Sequence, residues 1–158
     1  MENNTPREKI YSALFQLLQD SYTWVYTSRS FRLWSDTPTG QQPALYMRQR
    51  TEVPDQPSQN AGLTRWHLRV YAWVYVQASP NSDEPGYAPI QALNPVLDAI
   101  DKALGGEIPG AKQTLARYNG GVSLVERVWL NGPILINDPP AGDLQIIAAL
   151  PITVTAGF

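Results

Sequence analysis

The longest regular alternation of apolar and polar positions lies at residues 65–77, with the sequence RWHLRVYAWVYVQ. Successive side chains of an extended strand point to opposite faces, so this run predicts a strand with two different faces. One face is typical of a core and carries Trp66, Leu68, Val70, Ala72, Val74 and Val76. The other, which we call the mixed face, carries aromatic and cationic side chains: Arg65, His67, Arg69, Tyr71, Trp73, Tyr75 and Gln77. The pattern therefore predicts a strand whose second face needs a covering other than an apolar core.

The N-terminal stretch follows the period of an amphipathic helix. The residues Thr5-Pro6-Arg7-Glu8 are typical of a helix start, with Thr5 as the capping residue and Pro6 in the first turn. From there to Asp20, apolar residues cover roughly half of the helix circumference, and Tyr11 and Phe15 widen that arc. Two interpretations account for so wide an arc: a deep groove within the same domain, or a contact with a neighbouring subunit.

A second helix is predicted over residues 90–104, where apolar residues form a narrow stripe with helical spacing. Gly105-Gly106 is expected to end this helix. Pro95 is expected either to open it after an Asn94 cap or to kink it, because proline lacks the N–H group that a helix interior needs.

Stretches rich in β-branched and aromatic side chains predict further strands. They lie at residues 22–27, 43–48, 122–130 and 144–154. Residues 31–34 are expected to continue the first of them after a break, and residues 133–137 to extend the third.

Proline-rich or irregular stretches separate these elements. Residues 53–62 predict a mobile loop, and residues 106–121 predict an irregular segment. The order helix, three strands, helix, two strands predicts an α+β fold, with residues 1–158 in a single domain. Within it we expect a largely antiparallel mixed sheet of about five strands, with the two main helices packed on one face.

Composition and charge narrow the classes of function. The chain has no cysteine, which excludes a disulfide framework, a thiolate metal site and a cysteine nucleophile. Its net charge of −2 argues against a dedicated nucleic-acid binder, which normally carries a cationic excess. The N-terminus is polar and no apolar run is long enough to span a membrane, so we expect a soluble chain made in the cytoplasm.

Candidate catalytic groups are sparse in the sequence. His67 is the single histidine, and no Gly-Xaa-Ser-Xaa-Gly motif supplies a nucleophile for it. Asp98 and Asp101 fit a solvated helix face better than a catalytic carboxylate pair. Only a weak all-oxygen metal site is conceivable, and no phosphate-loop or dinucleotide motif occurs. We therefore expect no catalytic residue, no metal site, no cofactor and no enzyme activity.

The mixed face is most simply interpreted as a surface that other protein covers. Tyr, Trp and Arg are enriched at the centres of protein interfaces, and Lys, of which this chain has three, is depleted there. We expect the first helix to cover part of this face and another chain to cover the rest. The predicted interface residues are Arg65, His67, Arg69, Tyr71, Trp73 and Tyr75 on the strand, with Tyr11 and Phe15 on the helix. The alternative is a platform on which nucleic-acid bases stack.

Several stretches together resemble a known family. They are PALYMR (43–48), the long strand at 65–77, LNPVLDAIDKAL ending at Gly-Gly, QTL (113–115), VERVWLNGPILI (125–136) and AALPITVTA (148–156). In these patterns of apolar and turn residues, from about Arg7 to Val154, the chain resembles the tail terminator and tail-completion proteins of long-tailed bacteriophages, which include the minor tail protein U type.

The resemblance implies a structural function without catalysis. Proteins of this family form a hexameric ring on the end of the tail tube, which stops tube growth and offers a docking surface to the head connector. The implied partners are further copies of the chain, the tail tube protein and a head–tail connector or neck protein, with neither a membrane nor a specific nucleic acid. The implied location is the virion tail or neck, after assembly in the host cytoplasm. Another neck or head-completion adaptor, a small nucleic-acid-binding module and an enzyme are the alternatives.

Overall fold

The computed structural model describes residues 5–55, 64–78, 88–105, 125–137 and 145–158. Within these ranges the chain forms two α-helices and a six-stranded, mostly antiparallel mixed sheet, which confirms the predicted α+β class. In chain order the elements are α1 (Pro6–Ser21), β1 (Tyr26–Ser28), β2 (Ala44–Pro54), β3 (Arg65–Gln77), α2 (Ala88–Leu104), β4 (Val125–Leu130), β5 (Leu135–Asn137) and β6 (Gln145–Gly157). Two short 3₁₀ turns, Trp34–Asp36 and Thr39–Gln41, lie between β1 and β2.

The centre of the sheet is the antiparallel pair β3 and β6. These strands have 13 residues each and pair along their whole length, from Arg65 opposite Gly157 to Gln77 opposite Gln145. The strand order is β1-β2-β3-β6-β4, and only β1 and β2 are parallel. Both β4 and β5 pair with the outer edge of β6, so β5 continues β4 after a short interruption, as the sequence predicts for residues 133–137.

The two faces of β3 are separated as the alternation predicts. The residues of its apolar face between Leu68 and Val76 are buried in the main core, and Trp66 packs against them. Both helices cover this side of the sheet, and their core residues are Ile10, Tyr11, Ala13, Leu14, Leu17 and Leu18 in α1 and Leu93, Val96, Ile100, Ala103 and Leu104 in α2. The expectation that α1 covers the mixed face is therefore wrong, because α1 lies on the opposite side of the sheet.

The wide apolar arc of α1 is filled by its own chain. Tyr11 is only 1% exposed, and its hydroxyl donates a hydrogen bond of 2.8 Å to an Oε atom of Glu52. Arg7 pairs with the same carboxylate at 2.7 Å. Phe15 is partly buried and packs against the same core. The prediction of Tyr11 as an interface residue is corrected, since a neighbouring copy has no access to it, and Phe15 offers only its partly exposed edge.

The predicted start of α1 and end of α2 agree with the structure. Thr5 accepts a hydrogen bond of 3.3 Å from the Glu8 amide, as expected of an N-cap. Gly105 follows α2 with φ of 135°, a backbone conformation that glycine adopts without strain. Pro95 lies inside α2, which begins at Ala88, so of its two predicted roles the opening of the helix after Asn94 is excluded.

Other boundaries also differ from the predictions, and β6 continues to Gly157, past the predicted end at residue 154. The first strand starts at Tyr26 rather than residue 22, because Trp24 turns back and its Nε1 donates 2.9 Å to the last turn of α1 at Leu18. Residues 31–34 do not continue it, and a 3₁₀ turn begins at residue 34. β2 extends to Pro54, so the loop predicted at 53–62 begins too early. The rest of that prediction, residues 56–62, and the irregular segment at 106–121 lie outside the described residues.

Truncating the centre of α1 should destabilise the fold strongly. Leu14 is fully buried, and Leu14→Ala is expected to cost about 2–5 kcal/mol because it removes packed atoms and leaves a cavity. Leu33→Ala is the matched control, since Leu33 is 58% exposed and its loss should stay within about 0.5 kcal/mol. Urea unfolding followed by circular dichroism measures both. Equal losses for the two variants would contradict the assigned position of α1.

Candidate protein–protein interface

The mixed face extends across the sheet, because residues that pair across neighbouring strands share a face. Tyr46 lies opposite Trp73 and Arg48 opposite Tyr71, so β2 adds both to this face. β6 adds Thr153 opposite Arg69, and β4 adds Arg127 and Trp129. The face therefore has an aromatic end and an end rich in arginine.

The aromatic end forms a second, smaller core. Its fully buried members are Ala44, Tyr46 and Tyr75, and Tyr26, Phe31, Trp73 and Ile147 pack around them. The covering is the segment 29–43 of the same chain: the Tyr75 hydroxyl donates to the Arg32 carbonyl, and the hydroxyls of Tyr46 and Thr37 are 2.8 Å apart. Tyr75 is only 2% exposed and is thereby excluded from the predicted interface.

Trp73 joins the two ends of the mixed face. Its ring centroid is 5.1 Å from that of Phe31 and 6.3 Å from that of Tyr71. The side chain is partly buried, so only part of it is accessible to another chain. Substituting Trp73 would disturb the aromatic end as well as any interface, so it is a poor probe of association.

The rest of the face carries four arginines on β2, β3 and β4 that we call the arginine cluster: Arg48, Arg50, Arg69 and Arg127. All four are exposed, and none has an ion-pair partner among the residues that the structure describes. Three of them lie over aromatic rings: Arg50 is 5.0 Å from the ring centroid of Tyr71, Arg127 is 4.6 Å from that of Trp129, and Arg48 is 5.5 Å from that of Phe31. Such cation–π contacts hold the guanidinium groups in place without neutralising them.

A β-bulge places Arg50 in the cluster. The pairing of β2 with β3 shifts between Gln49, opposite Val70, and Thr51, opposite Arg69, which leaves Arg50 as an extra residue. Beside it is an open depression of about 360 Å³. Its lining includes the polar side chains of Arg50, Thr51, Arg69, Tyr71, Asn131 and Thr153. Two guanidinium groups, hydroxyls and an amide together suit an oxyanion such as a carboxylate or a phosphate.

The wall of the depression depends on the interruption between β4 and β5. Asn131 donates its backbone N–H to the Pro151 carbonyl at 2.9 Å, and its Nδ2 donates to Thr153 Oγ1 at 3.1 Å. Gly132 follows with φ of 127° and faces the Pro151 ring. In a strand, the N–H and the C=O of one residue point to the same edge. Pro151 has no N–H, so a partner strand that continued past it on this edge would lose one ladder hydrogen bond. The interruption between β4 and β5 lies at this position.

Hydrogen bonds and an ion pair hold the part of the mixed face at the start of β3. His67 Nε2 is 2.6 Å from Asp55 Oδ1, and His67 Nδ1 is 3.0 Å from Thr155 Oγ1. Arg65 Nε pairs with Glu126 at 3.0 Å. These contacts join β3 to the end of β2, to β6 and to β4, so Arg65 and His67 already have partners within the chain.

Asp55, the orienting partner of His67, is not predicted by the sequence patterns. Asp55 lies at the position opposite Arg65, where its amide donates 2.9 Å to the Arg65 carbonyl, and this could be foreseen only if β2 were known to extend so far. A carboxylate, an imidazole and a hydroxyl in series can activate a nucleophile. Here the hydroxyl belongs to Thr155, which is only 7% exposed within the central strand pair. The arrangement is therefore suited to holding strands together.

The described residues form neither a metal centre nor a membrane-spanning helix. Within the described ranges, no group of three or more His, Asp or Glu side chains is placed to hold a metal ion. No helix in those ranges has the length and apolar character needed to cross a membrane. Comparison with known proteins gives no match to any family model and none to a curated protein. The likeness to tail terminators thus stays a prediction from the sequence patterns.

Alkaline pH should destabilise the aromatic end. Burial raises the pKa of Tyr75 to about 12, and burial together with the Glu52 carboxylate raises that of Tyr11 to about 12. An unfolded tyrosine ionises near pH ~10, so the unfolded state binds fewer protons in between, and the free energy of unfolding falls as pH rises from about 10 to about 12. Urea unfolding across this range should show a smaller decline for Tyr75→Phe. A decline in Tyr75→Phe as steep as that of the native chain would contradict the assignment.

Replacing Gly132 should weaken the wall of the depression. Gly132→Ala places a side chain at φ of 127° and 3.4 Å from the Pro151 ring, so we expect a loss of about 1 kcal/mol or more. Gly40→Ala is the control, because a Cβ there meets nothing within 4 Å. Thermal or urea unfolding measures both. An unchanged free energy of unfolding in Gly132→Ala would contradict this prediction, because it would show that a side chain fits at this position without strain.

Proposed function

We propose that this chain is a structural protein of a bacteriophage tail. Copies of it assemble into a ring, hexameric by resemblance to tail terminators, that caps the tail tube, ends tube polymerisation and offers a docking surface to the head connector. In this proposal the protein is assembled in the host cytoplasm and works in the virion at the neck end of the tail. The sequence patterns support the tail assignment, and the exposed surface supports self-association.

The single observation that carries self-association is the open arginine cluster. The chain covers one end of its mixed face with residues 29–43 but leaves Arg48, Arg50, Arg69 and Arg127 exposed. Arginine forms bidentate hydrogen bonds with carboxylates and is enriched at the centres of protein interfaces. Arg50 and Arg69 line the same depression and pair with no carboxylate among the described residues, so an acidic partner surface would neutralise both. The cluster is therefore best explained as half of a contact with another protein.

The rest of the surface suits a ring contact. A ring needs a heterologous contact, in which two different surfaces of the same chain meet. The helical layer and the mixed face are two such surfaces, on opposite sides of one sheet. Leu135 and Ile136 on β5, which are 50% and 49% exposed, add apolar area beside the Asn131-Gly132 insertion.

A nucleic-acid platform is the second candidate, and the cluster itself favours it. Arginines beside aromatic rings bind phosphates and stack on bases. Of the three strand rings that could stack on bases, however, Tyr75 is buried, Trp73 is partly covered and Tyr71 already lies beneath Arg50. The surface thus offers charge but little free aromatic area, so a protein partner fits it better. If the chain were instead a neck or head-completion adaptor, the same surface would bind a different protein rather than a second copy of the chain.

Assembly and tail length together test the proposal. Native mass spectrometry and sedimentation velocity at rising concentration, with and without purified tail tubes, should show a hexamer. Electron microscopy of tails assembled without the chain should show tubes of uncontrolled length, and adding the chain should restore a uniform length. A chain that stays monomeric on tail tubes and leaves their length unchanged would contradict the proposal.

A further inference from the structure

We infer that the arginine cluster of one subunit binds the carboxylates of Asp98 and Asp101 on helix α2 of the next subunit. This inference rests on the proposed self-association and adds to it which two surfaces meet. It joins the mixed face of one copy to the helical layer of its neighbour.

The acidic half follows from the ion pairs within the chain. Most described carboxylates are already engaged: Glu8 by Arg29, Glu52 by Arg7, Asp55 by His67 and Glu126 by Arg65. Asp20 accepts a hydrogen bond from Gln16. Three exposed aspartates have no ion-pair or hydrogen-bond partner among the described residues, and they are Asp36, Asp98 and Asp101.

Asp98 and Asp101 form the better counter-surface of the three. They are three residues apart in α2, so their side chains lie on the same side of the helix. Val96 and Ile100 hold the other side of α2 in the core, so the two aspartates are on the outward side. Asp36 stands alone in a 3₁₀ turn next to the covering of the aromatic end.

Charge decides the orientation of the contact. Two arginine clusters face to face would place like charges opposite one another, which costs several kcal/mol. The outward side of α2 carries Asp98 and Asp101 beside one lysine, Lys102, so its net charge is opposite to that of the cluster. It lies on the other side of the sheet from the cluster. A contact between these surfaces is heterologous, so it can repeat from copy to copy and close into a ring.

The depression beside Arg50 supplies the geometry for an aspartate. Arg50 and Arg69 both line it and can donate paired N–H groups to one carboxylate. The Thr51 hydroxyl and the Asn131 amide lie in the same lining and can satisfy further lone pairs. A carboxylate that leaves water for this site would therefore keep hydrogen-bond partners, which burial of a charge requires.

Charge reversal tests the contact. Arg69→Asp and Asp98→Arg should each weaken assembly by roughly tenfold or more, because each places like charges across the contact. An equimolar mixture of the two variants should regain assembly as an alternating ring, since every contact in it again pairs opposite charges. A chain that carries both substitutions should assemble without any other variant present. Lys9→Asp and Asp36→Arg are the matched controls, with the same charge changes elsewhere on the surface, and should assemble like the native chain.

The measurement is native mass spectrometry of the full chain, with tail tubes present if the native chain needs them. The midpoint of urea unfolding shows whether each variant folds. If Arg69→Asp does not fold, Arg48→Asp is used in its place. Native assembly by the single variants would overturn the inference and leave the proposed function standing. The inference would also be overturned if the equimolar mixture failed to assemble. It would likewise be overturned if Arg69→Asp abolished salt-sensitive binding of single-stranded DNA and left assembly unchanged. A native chain that never assembles would overturn both.

Discussion

The pairing of β3 with β6 is the constraint on which the rest of the structure depends. Thirteen positions of each strand pair without a bulge, from Arg65 opposite Gly157 to Gln77 opposite Gln145. This unbroken register assigns every second residue to the same side of the sheet. A slip by one residue would exchange the faces of one strand and move arginines such as Arg69 towards the core. The two helices can cover one side and leave the other open only because the register is fixed.

The two sides are then completed by different means. The apolar side is closed by α1 and α2 and holds most of the buried residues. The mixed side is closed only where its residues are aromatic, by the segment 29–43, and it stays open where they are arginines. The bulge at Arg50 and the insertion at Asn131 lie at this open end, on strands either side of the central pair. The irregularities of the sheet are thus concentrated beside the surface proposed for association.

Local sequence patterns predicted what depends on neighbouring residues along the chain. The alternation at 65–77 assigned each residue to the correct face, and the Thr5 cap and Gly105 marked helix ends, because strand and helix periods are local properties. The covering of the mixed face was mispredicted, because which element packs on which side is decided by the whole fold. Tyr11 and Tyr75 were assigned to the interface for the same reason, since an aromatic residue with a polar tip suits a surface or a core equally well. The bulge at Arg50 has no signal in the sequence.

The outer strands of the sheet have a consequence for how copies of the chain can join. β1 and β5 have three residues each and β4 has six, and the interruption at Asn131 separates β5 from β4. The part of β2 beyond Tyr46, which β1 does not pair, carries the bulge at Arg50 and ends at Pro54. Exposed strand edges invite another backbone to add hydrogen bonds indefinitely, and short or broken edge strands are a known defence against it. Growth of an open-ended β-fibre is therefore disfavoured on these edges. Side-chain contacts between the two faces are then the favoured route, and a heterologous contact of that kind gives a finite ring when the rotation between neighbours completes a full turn.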